Sequence, residues 1–414
     1  MNEEKIFDIA IIGAGPAGLS AAKKAASEGL PAIIFEEHAK VGEPVHCGEC
    51  LSLYATKRMG LDLPPETIAM KVKGIRVVFP DTTPIIFREE GYALEKNLFE
   101  QYLAVLAQGA GAVLKTSARV QSLKRENGIW NIGTLAGNFQ AKAIIDASGY
   151  QSIGSQLAGL NQQKFKTVMG VQYFMEDVPN DGYIEFFLWP RLAPEGYLWI
   201  IPKANGCANV GLVSQDGANI HNCLKQFIRE KGLEGKKIIK PFGGAIPASG
   251  PLPKTYGDGI ILAGDAAGFT SPMFEGGTQL ALKSGELAAQ TIARALKGLP
   301  KPSTPELEQM NEQQPEQKLN DPLSANALCE YENAWKAEFA PYEKLIVGKN
   351  SLYGLPEAEL DKLGRILPGD LTNIGLGAKA GIAAKALLVF GSKVMKIRSA
   401  LDTFAYSTGE MYGW

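Results

Sequence analysis

A glycine-rich turn near the start of the chain carries the residue types that bind a dinucleotide. Gly13, Gly15 and Gly18 follow the apolar run 6–12 and precede an alanine-rich helical pattern, after which a second apolar run ends at Glu36. In such a unit the first glycine permits a tight turn, the second lets the backbone approach a pyrophosphate, and the third packs helix on strand. The helix N-terminus favours phosphates, and Glu36 would accept hydrogen bonds from ribose hydroxyls. The turn therefore predicts a bound dinucleotide, FAD or NAD.

A short segment beyond Glu36 carries side chains that could transfer protons or electrons. Cys47 and Cys50 are separated by two residues, and His46 precedes them. A zinc site needs four ligands, whereas the chain has three histidines and no second cysteine pair of this spacing, so we expect no metal. Two interpretations stay open: a redox-active dithiol, or one reactive cysteine with Cys50 as a small packing residue. His46 could relay a proton at neutral pH, and the alternative is a histidine in a surface loop.

The composition argues against several classes of partner and location. With 42 basic and 44 acidic residues the formal net charge is −2, so no basic field points to nucleic acid. No uncharged apolar run approaches the roughly 18 residues of a membrane span, and the acidic start of the chain is unlike a secretory signal. Five scattered cysteines fit a reducing compartment. We therefore expect a cytoplasmic protein.

One C-terminal segment could reach a membrane surface. Residues 379–398 predict a helix with Ile382, Ala386, Leu387, Phe390 and Val394 near one face and Lys385, Lys393 and Lys396 elsewhere. A basic amphipathic helix of this kind can lie on an anionic bilayer, and a buried helix fits the pattern equally well. Peripheral membrane attachment is thus one expectation for this segment.

The elements around these residues predict a mixed α/β fold. Strand–helix patterns occur at both ends of residues 5–300, and a β-rich block lies between them. We expect a Rossmann-type dinucleotide-binding domain with an inserted antiparallel-sheet domain for the substrate, followed by a C-terminal helical region. The expected boundaries are 1–70, 92–158 and 252–300 for the binding domain, 71–91 and 159–251 for the insert, and 301–414 for the helices. The stretch 299–325, rich in Pro, Gln and Glu, predicts a solvated connection or insertion.

Three further motifs point to a family. They are Asp146-Ala-Ser-Gly149, Gly264-Asp265 after an apolar run, and Tyr197-x-Trp199-x-x-Pro202. Together with Cys47-Gly-Glu49 they resemble the geranylgeranyl reductase family, within the FAD-dependent superfamily of aromatic hydroxylases. Archaeal digeranylgeranylglycerophospholipid reductases of this family carry a cysteine beside the flavin. The resemblance covers roughly residues 5–300 and implies FAD as the cofactor.

The resemblance implies a role for each matching residue. The ADP half of FAD would be held by Gly13, Gly15, Ala17, Gly18 and Glu36, with Val120 at the adenine and Gly149 close to the dinucleotide. The flavin would be lined by Cys47, Gly48, Cys50, Asp265, Gly277 and Thr278, and Lys96 would replace an arginine near the pyrophosphate. The catalytic residues would be Cys47, His46, Tyr197 and Trp199. Three positions depart from the family pattern. Cys50 and Glu275 occupy positions where the family usually has glycine, and Thr278 replaces a frequent isoleucine.

The implied activity is a reduction of isoprenoid chains. Reduced FAD would transfer hydride to C=C bonds of geranylgeranyl groups in a membrane lipid or its precursor, and Cys47 would position the alkene or supply a proton. The chain has no second dinucleotide fingerprint, so an external reductant (NAD(P)H, ferredoxin or another donor) must visit. Two other functions stay open: a flavin monooxygenase of the aromatic-hydroxylase type, and an electron-transfer flavoprotein acting on a membrane quinone.

Overall fold

Two large β-sheets form the framework on which the helices pack. A computed structural model describes residues 5–162, 165–299 and 321–414, so most of the predicted connection 299–325 lies outside the described residues. The described strands are β1 Ile6–Ile12, β2 Ala32–Phe35, β3 Cys50–Ser52, β4 Ile68–Val72, β5 Ile75–Val78, β6 Pro84–Phe87, β7 Gly91–Leu94, β8 Val113–Lys115, β9 Val120–Glu126, β10 Ile129–Thr134, β11 Gly137–Asp146, β12 Thr167–Met175, β13 Ile184–Phe187, β14 Tyr197–Pro202, β15 Ala208–Ser214, β16 Ile238–Pro247, β17 Tyr256–Gly257 and β18 Ile260–Leu262. The described helices are α1 Pro16–Ser27, α2 Leu53–Arg58, α3 Lys96–Gly109, α4 Ile153–Leu157, α5 Ile220–Glu230, α6 Thr278–Leu296, α7 Ala325–Leu328, α8 Glu330–Glu338, α9 Tyr342–Tyr353, α10 Glu357–Ile366, α11 Leu376–Phe390 and α12 Val394–Ala405.

The first sheet contains the parallel strands that the glycine turn predicts. Its order is β17-β18-β11-β1-β2-β8, and β9 and β10 extend it as an antiparallel ribbon from β11. β1 lies between β2 and β11, and both pairs are parallel. Apolar residues of α1, α3 and α6 join those of β1 and β2 in one buried core. The predicted Rossmann-type architecture is confirmed, and the carboxyl ends of β1 and β11 meet at the same edge.

The second sheet contains the β-rich block. Its order is β16-β12-β15-β14-β13-β5-β6, and its pairs are antiparallel except for β5 with β13. That parallel pair arises because β5 comes from an earlier segment of the chain and runs beside β13 from the later block. A three-stranded sheet, β3-β7-β4, lies outside both. The fold class is confirmed, whereas the expected domain boundaries stay a prediction.

Small residues bring α1 and α6 into direct contact. A Cβ at Gly285 of α6 would lie 2.0 Å from the backbone oxygen of Ala17 in α1. A Cβ at Gly264, in the turn after β18, would lie 2.9 Å from the Cβ of the same alanine. Larger side chains would force the two helices apart, because protein interiors have almost no free volume. The helix that follows the glycine turn is therefore packed against the helix that begins at Thr278.

The C-terminal region is helical, as predicted, but the single helix expected over 379–398 is wrong. That segment contributes to two helices, α11 and α12, because the backbone at Gly391 takes φ +53° and ends the first. Ile382 and Phe390 are buried in a core shared with the second sheet. Leu387 is 58% exposed, since it lies off the helical face of those two residues.

Candidate functional site

Six of the predicted cofactor or catalytic residues line one cavity at the edge of the first sheet. The cavity encloses about 300 Å³, and its lining includes Gly13, Gly15, Glu36, His46, Val120 and Gly149. It lies where β1 ends and α1 begins, and no described side chain caps the N-terminus of α1. The free N–H groups of the first turn are therefore available to a diphosphate.

The glycines in and next to this cavity divide into two kinds. A Cβ at Gly13, which has φ +97°, would lie 2.4 Å from the oxygen of Ala147, and one at Gly18 would lie 2.0 Å from the oxygen of Gly13. A Cβ at Gly15 or Gly149 would meet no described protein atom within 4 Å. The first two glycines are thus required by the fold, while the other two leave space in the cavity. This cradle fits the diphosphate of a dinucleotide.

Glu36 joins the glycine turn to the loop after β2. Its Oε2 accepts from the backbone N–H of Ala14 at 2.9 Å, and its Oε1 accepts from the backbone N–H of His38 at 2.9 Å. Nδ1 of His38 lies 2.7 Å from the same Oε1. Sequence reasoning missed His38, which also lines the cavity. Its position two residues beyond the carboxylate that ends β2 was the available signal.

Asp146 organises the turn at the end of β11. Its Oδ1 accepts from Oγ of Ser148 at 2.6 Å, and its Oδ2 accepts from the backbone N–H of Ser155 at 2.7 Å. Burial raises the pKa of the Asp146 carboxyl, and these hydrogen bonds oppose that shift. The aspartate thus holds the turn that brings Gly149 to the cavity.

The loop with the two cysteines packs against the second sheet. Sγ of Cys47 accepts from the backbone N–H of Glu49 at 3.2 Å, and a Cβ at Gly48 would lie 3.2 Å from Cδ1 of Ile201 in β14. Cys50 begins β3, and both cysteines carry free thiols. Burial raises the pKa of the Cys47 thiol, although the Lys96 ammonium lowers it, and burial raises the pKa of Cys50 well above its ordinary value. Both side chains are therefore neutral thiols at neutral pH.

Glu49 anchors this loop, and sequence reasoning did not assign it a role. Its Oε2 accepts from Nζ of Lys203 at 3.0 Å and from Nδ2 of Asn209 at 2.7 Å. Its Oε1 accepts from the backbone N–H of Lys96 at 3.1 Å. Glu49 is buried and has φ +72°. Its place in the Cys47-Gly-Glu49 motif was the only hint that the sequence offered.

The remaining residues expected near the cofactor lie at the start of α3, in the turn after β18 and at the start of α6. Lys96 is buried, and its ammonium pairs with Glu100, which lines the cavity. Burial raises the pKa of Asp265, and the charge of Lys96 lowers it. A Cβ at Gly277 would lie 3.3 Å from Oδ1 of Asp265, and Thr278 begins α6. Glu100 lines the cavity and Lys96 does not. Lys96 is therefore linked to the cavity by its ion pair with Glu100.

Tyr197 and Trp199 are buried on β14, where each makes a polar contact. The Tyr197 hydroxyl donates to the backbone oxygen of Phe274 at 2.7 Å, and Nε1 of Trp199 donates to Oε1 of Gln172 at 2.9 Å. His46 is exposed, and its Nδ1 donates to the backbone oxygen of Gly243 in β16 at 2.8 Å. The structure therefore ties His46 to the second sheet and encloses the two aromatic rings within it.

The chain matches family models and known reductases along most of its length. Residues 167–246 match the family model described as geranylgeranyl reductase catalytic domain, and residues 10–175 match pyridine nucleotide-disulphide oxidoreductase. A digeranylgeranylglycerophospholipid reductase of Methanothrix thermoacetophila is 34% identical over 309 residues, which are 70% of this chain and 78% of that protein. The reductase of the same name from Methanocaldococcus jannaschii is 31% identical over 391 residues, 90% of this chain and 93% of that one. The chain belongs to the geranylgeranyl reductase family.

Solved structures agree with this membership. A geranylgeranyl bacteriochlorophyll reductase-like protein of Thermoplasma acidophilum is 29% identical and has a TM-score of 0.82 over 96% of this chain and 99% of that one. A flavin-dependent brominase, 16% identical with a TM-score of 0.70, shares the fold alone. The fold of this geranylgeranyl reductase family member is thus one used by flavoproteins, and a flavin is the cofactor class that it supports.

Proposed function

We propose that this member of the geranylgeranyl reductase family is an FAD-dependent oxidoreductase that saturates C=C bonds of geranylgeranyl chains in a membrane lipid or its precursor. One observation supports this function above the others. The segment that matches the reductase catalytic domain, 167–246, supplies Gln172, Lys203 and Asn209, whose side chains bind the loop of Cys47 and Glu49. The family-specific sheet thus holds the cysteine loop against the dinucleotide cavity.

The cofactor would extend from the cavity towards the start of α6. The α1 N-terminus and Gly15 would bind the diphosphate and Glu36 would bind the ribose, whereas Asp265 and the start of α6, which lie outside the cavity lining, would hold the flavin. FAD, when bound, accepts electrons from an external reductant and delivers them as hydride to an alkene. The positive end of the α6 dipole favours the negative charge that a reduced flavin carries. The external reductant stays a prediction, and its chemical class stays open.

The residues around the alkene have two tasks. Tyr197 and Trp199 present aromatic surface to an apolar chain, and Cys47 holds a proton at Sγ, because burial raises its pKa. His46 binds Gly243 through Nδ1 and keeps Nε2 for proton exchange with water. A Cys47→Ser variant with full flavin loading and undiminished turnover would remove the cysteine from this scheme.

The decisive experiment follows the flavin and the lipid together. The FAD-loaded protein is reduced anaerobically with dithionite and mixed with a phospholipid that bears geranylgeranyl chains. We expect flavin reoxidation accompanied by a lipid mass gain of two hydrogen atoms per double bond. Reoxidation by oxygen or by a quinone alone, with unchanged lipid mass, would reject the reductase and favour the monooxygenase or the electron-transfer flavoprotein.

We further propose that α11 contacts the membrane that holds the lipid. Within the described ranges, no helix combines the length and apolarity needed to cross a bilayer. Leu387 and Leu388 are nevertheless exposed on α11, Leu388 by 85%. Lys385, about one turn before Leu388, and Lys379, nearer the start of the same helix, are exposed as well. Exposed leucines next to lysines match an anionic lipid surface.

This contact is tested by sedimentation with vesicles of phosphatidylglycerol. The double variant Leu387→Ser/Leu388→Ser should bind them at least about tenfold more weakly, because two leucines no longer leave water. Val105→Ser, on α3, is the matched control, since Val105 is exposed by 65% on another helix. Equal binding by the wild type, the double variant and the control would reject the contact.

A further inference from the structure

Gln172 bridges the signature tryptophan and the loop that carries Cys47. Its Nε2 donates to the backbone oxygen of Cys47 at 2.7 Å, and its Oε1 accepts from Nε1 of Trp199 at 2.9 Å. Gln172 is 3% exposed, so competing water is largely kept from this bridge. Because an indole N–H can only donate, Trp199 fixes which end of the amide is oxygen. The amide nitrogen therefore faces Cys47.

A glycine on the strand between them makes this bridge possible. Gln172 on β12 and Trp199 on β14 both pair with Gly211 of β15. Strands two apart in a sheet are separated by roughly 9–10 Å, so their side chains meet only across the residue between them. A Cβ at Gly211 would lie 2.5 Å from the Cβ of Gln172 and 2.5 Å from Cζ2 of Trp199. The indole thus reaches the glutamine over bare backbone.

We propose that Gln172 is a positioning residue, which holds the Cys47 carbonyl and thereby the adjoining thiol in place beside the cofactor. Trp199 and Gly211 hold Gln172 in turn. The inference rests on the proposed function for its effect on turnover, but the exposure of the Cys47 thiol can be measured without any substrate. Glu49 and His46 hold the loop through other contacts, so loss of Gln172 removes one attachment and leaves the loop folded.

The test uses the FAD-loaded enzyme and the variants Gln172→Leu, Trp199→Phe and Gly211→Ala. Gln140→Leu is the matched control, because the Gln140 amide donates at 2.8 Å to Asn131 in the β10–β11 ribbon. The first measurement is the rate at which iodoacetamide alkylates Cys47, followed by mass spectrometry of its peptide. We expect the three variants to react about tenfold faster than wild type, the scale of one net hydrogen bond. Gln140→Leu should react at the wild-type rate.

Turnover and flavin potential provide readouts that altered packing alone would not move together. In Gln172→Leu and Gly211→Ala kcat should fall about tenfold with KM nearly unchanged, since the loop acts on the reacting group, and the midpoint potential of the bound flavin should shift. In the alkylation assay, which contains no substrate, the double variant Trp199→Phe/Gln172→Leu should match Gln172→Leu alone, because both changes remove one bridge. Gln172→Glu, which keeps the acceptor for Trp199 and sets a carboxylate against the Cys47 oxygen, should be impaired at least as much.

Two results separate the possible failures. Alkylation and flavin potential that stay at wild-type values in the three variants, or that change equally in Gln140→Leu, would overturn the role of Gln172. A wild-type enzyme that leaves geranylgeranyl lipid unreduced, while the variants still alkylate faster, would reject the proposed function and support the bridge.

Discussion

Lys203 and Glu49 form an ion pair in the protein interior, with Nζ and Oε2 3.0 Å apart and side chains only 3% and 7% exposed. Lys203 follows the last residue of β14, and Nζ also donates to the backbone oxygen of Leu94 at 2.6 Å. The pair therefore joins the second sheet to the loop of Cys47 and to the strand before α3.

Lys203→Met should destabilise the protein strongly. The variant leaves the Glu49 carboxylate buried without its cation, and removal of one partner from a buried pair costs about 3–5 kcal/mol. The free energy of unfolding in urea measures the loss. Lys237→Met is the control, because Lys237 pairs with Glu176 at 2.9 Å on the surface, where an ion pair contributes less than about 1 kcal/mol. Equal losses in both variants would contradict the role of the buried pair.

Substitutions at Gly15 and Gly18 should separate cofactor binding from folding. Gly15→Val should sharply lower the FAD content while the FAD-free protein keeps its unfolding temperature, because a Cβ there meets no described atom within 4 Å. Gly18→Val should lower the free energy of unfolding of the FAD-free protein by about 1–3 kcal/mol, because the added side chain overpacks the contact with Gly13. Flavin-to-protein absorbance and thermal unfolding measure the two effects. If Gly15→Val unfolds as readily as Gly18→Val, the space beside Gly15 is not a cofactor site.

Alkylation of Cys47 should depend on pH as expected for a raised pKa. Burial raises the pKa of this thiol, so its reaction with iodoacetamide should keep accelerating above the value of about 8.5 that is usual for cysteine. Lys96→Met should slow the reaction further at any given pH, because the Lys96 charge lowers that pKa. Cys47→Ser identifies the peptide adduct. A rate that levels off near neutral pH would contradict the burial of the thiol.

Lys349→Met should strengthen the dependence of stability on pH that comes from Glu275. The two side chains are buried and paired at 2.9 Å; burial raises the pKa of Glu275, and Lys349 lowers it. Without Lys349 the folded state binds a proton that the unfolded chain releases near pH ~4.3. The stability that this proton contributes is fully present below that pH, and it is lost as pH rises through the pKa of Glu275 in the folded state.

Urea unfolding between mildly acidic and mildly alkaline pH measures this slope. The double variant Lys349→Met/Glu275→Gln is the control, since it removes the titrating group and should abolish the contribution of Glu275 to the pH dependence. Identical slopes in the single and double variants would exclude Glu275 as the source.

The sequence was sufficient where the relevant contacts are local. Gly13, Gly15 and Glu36 belong to one strand–helix–strand unit, and they line one cavity in the structure. Glu49 and Gln172 were missed because the residues that their side chains bind are far away in sequence. Lys203 lies 154 positions from Glu49, and Cys47, bound at its backbone oxygen, lies 125 positions from Gln172. Residue spacing carries no record of such pairs.

The prediction of a single helix over 379–398 was wrong for a different reason. Apolar periodicity continues across Gly391, although the backbone there leaves the helical conformation. A glycine inside a helical pattern costs only about 1 kcal/mol relative to alanine, so the pattern alone could not show that this glycine ends α11.

The contact between Ala17 and Gly285 has a thermodynamic consequence. Because α1 and α6 touch without intervening side chains, the positions that would bind the diphosphate and the flavin keep their separation before any cofactor arrives. A site built in advance loses little conformational entropy when it is filled. FAD should therefore remain bound to the protein as a prosthetic group through many turnovers, while the lipid and the electron donor bind and dissociate in each one.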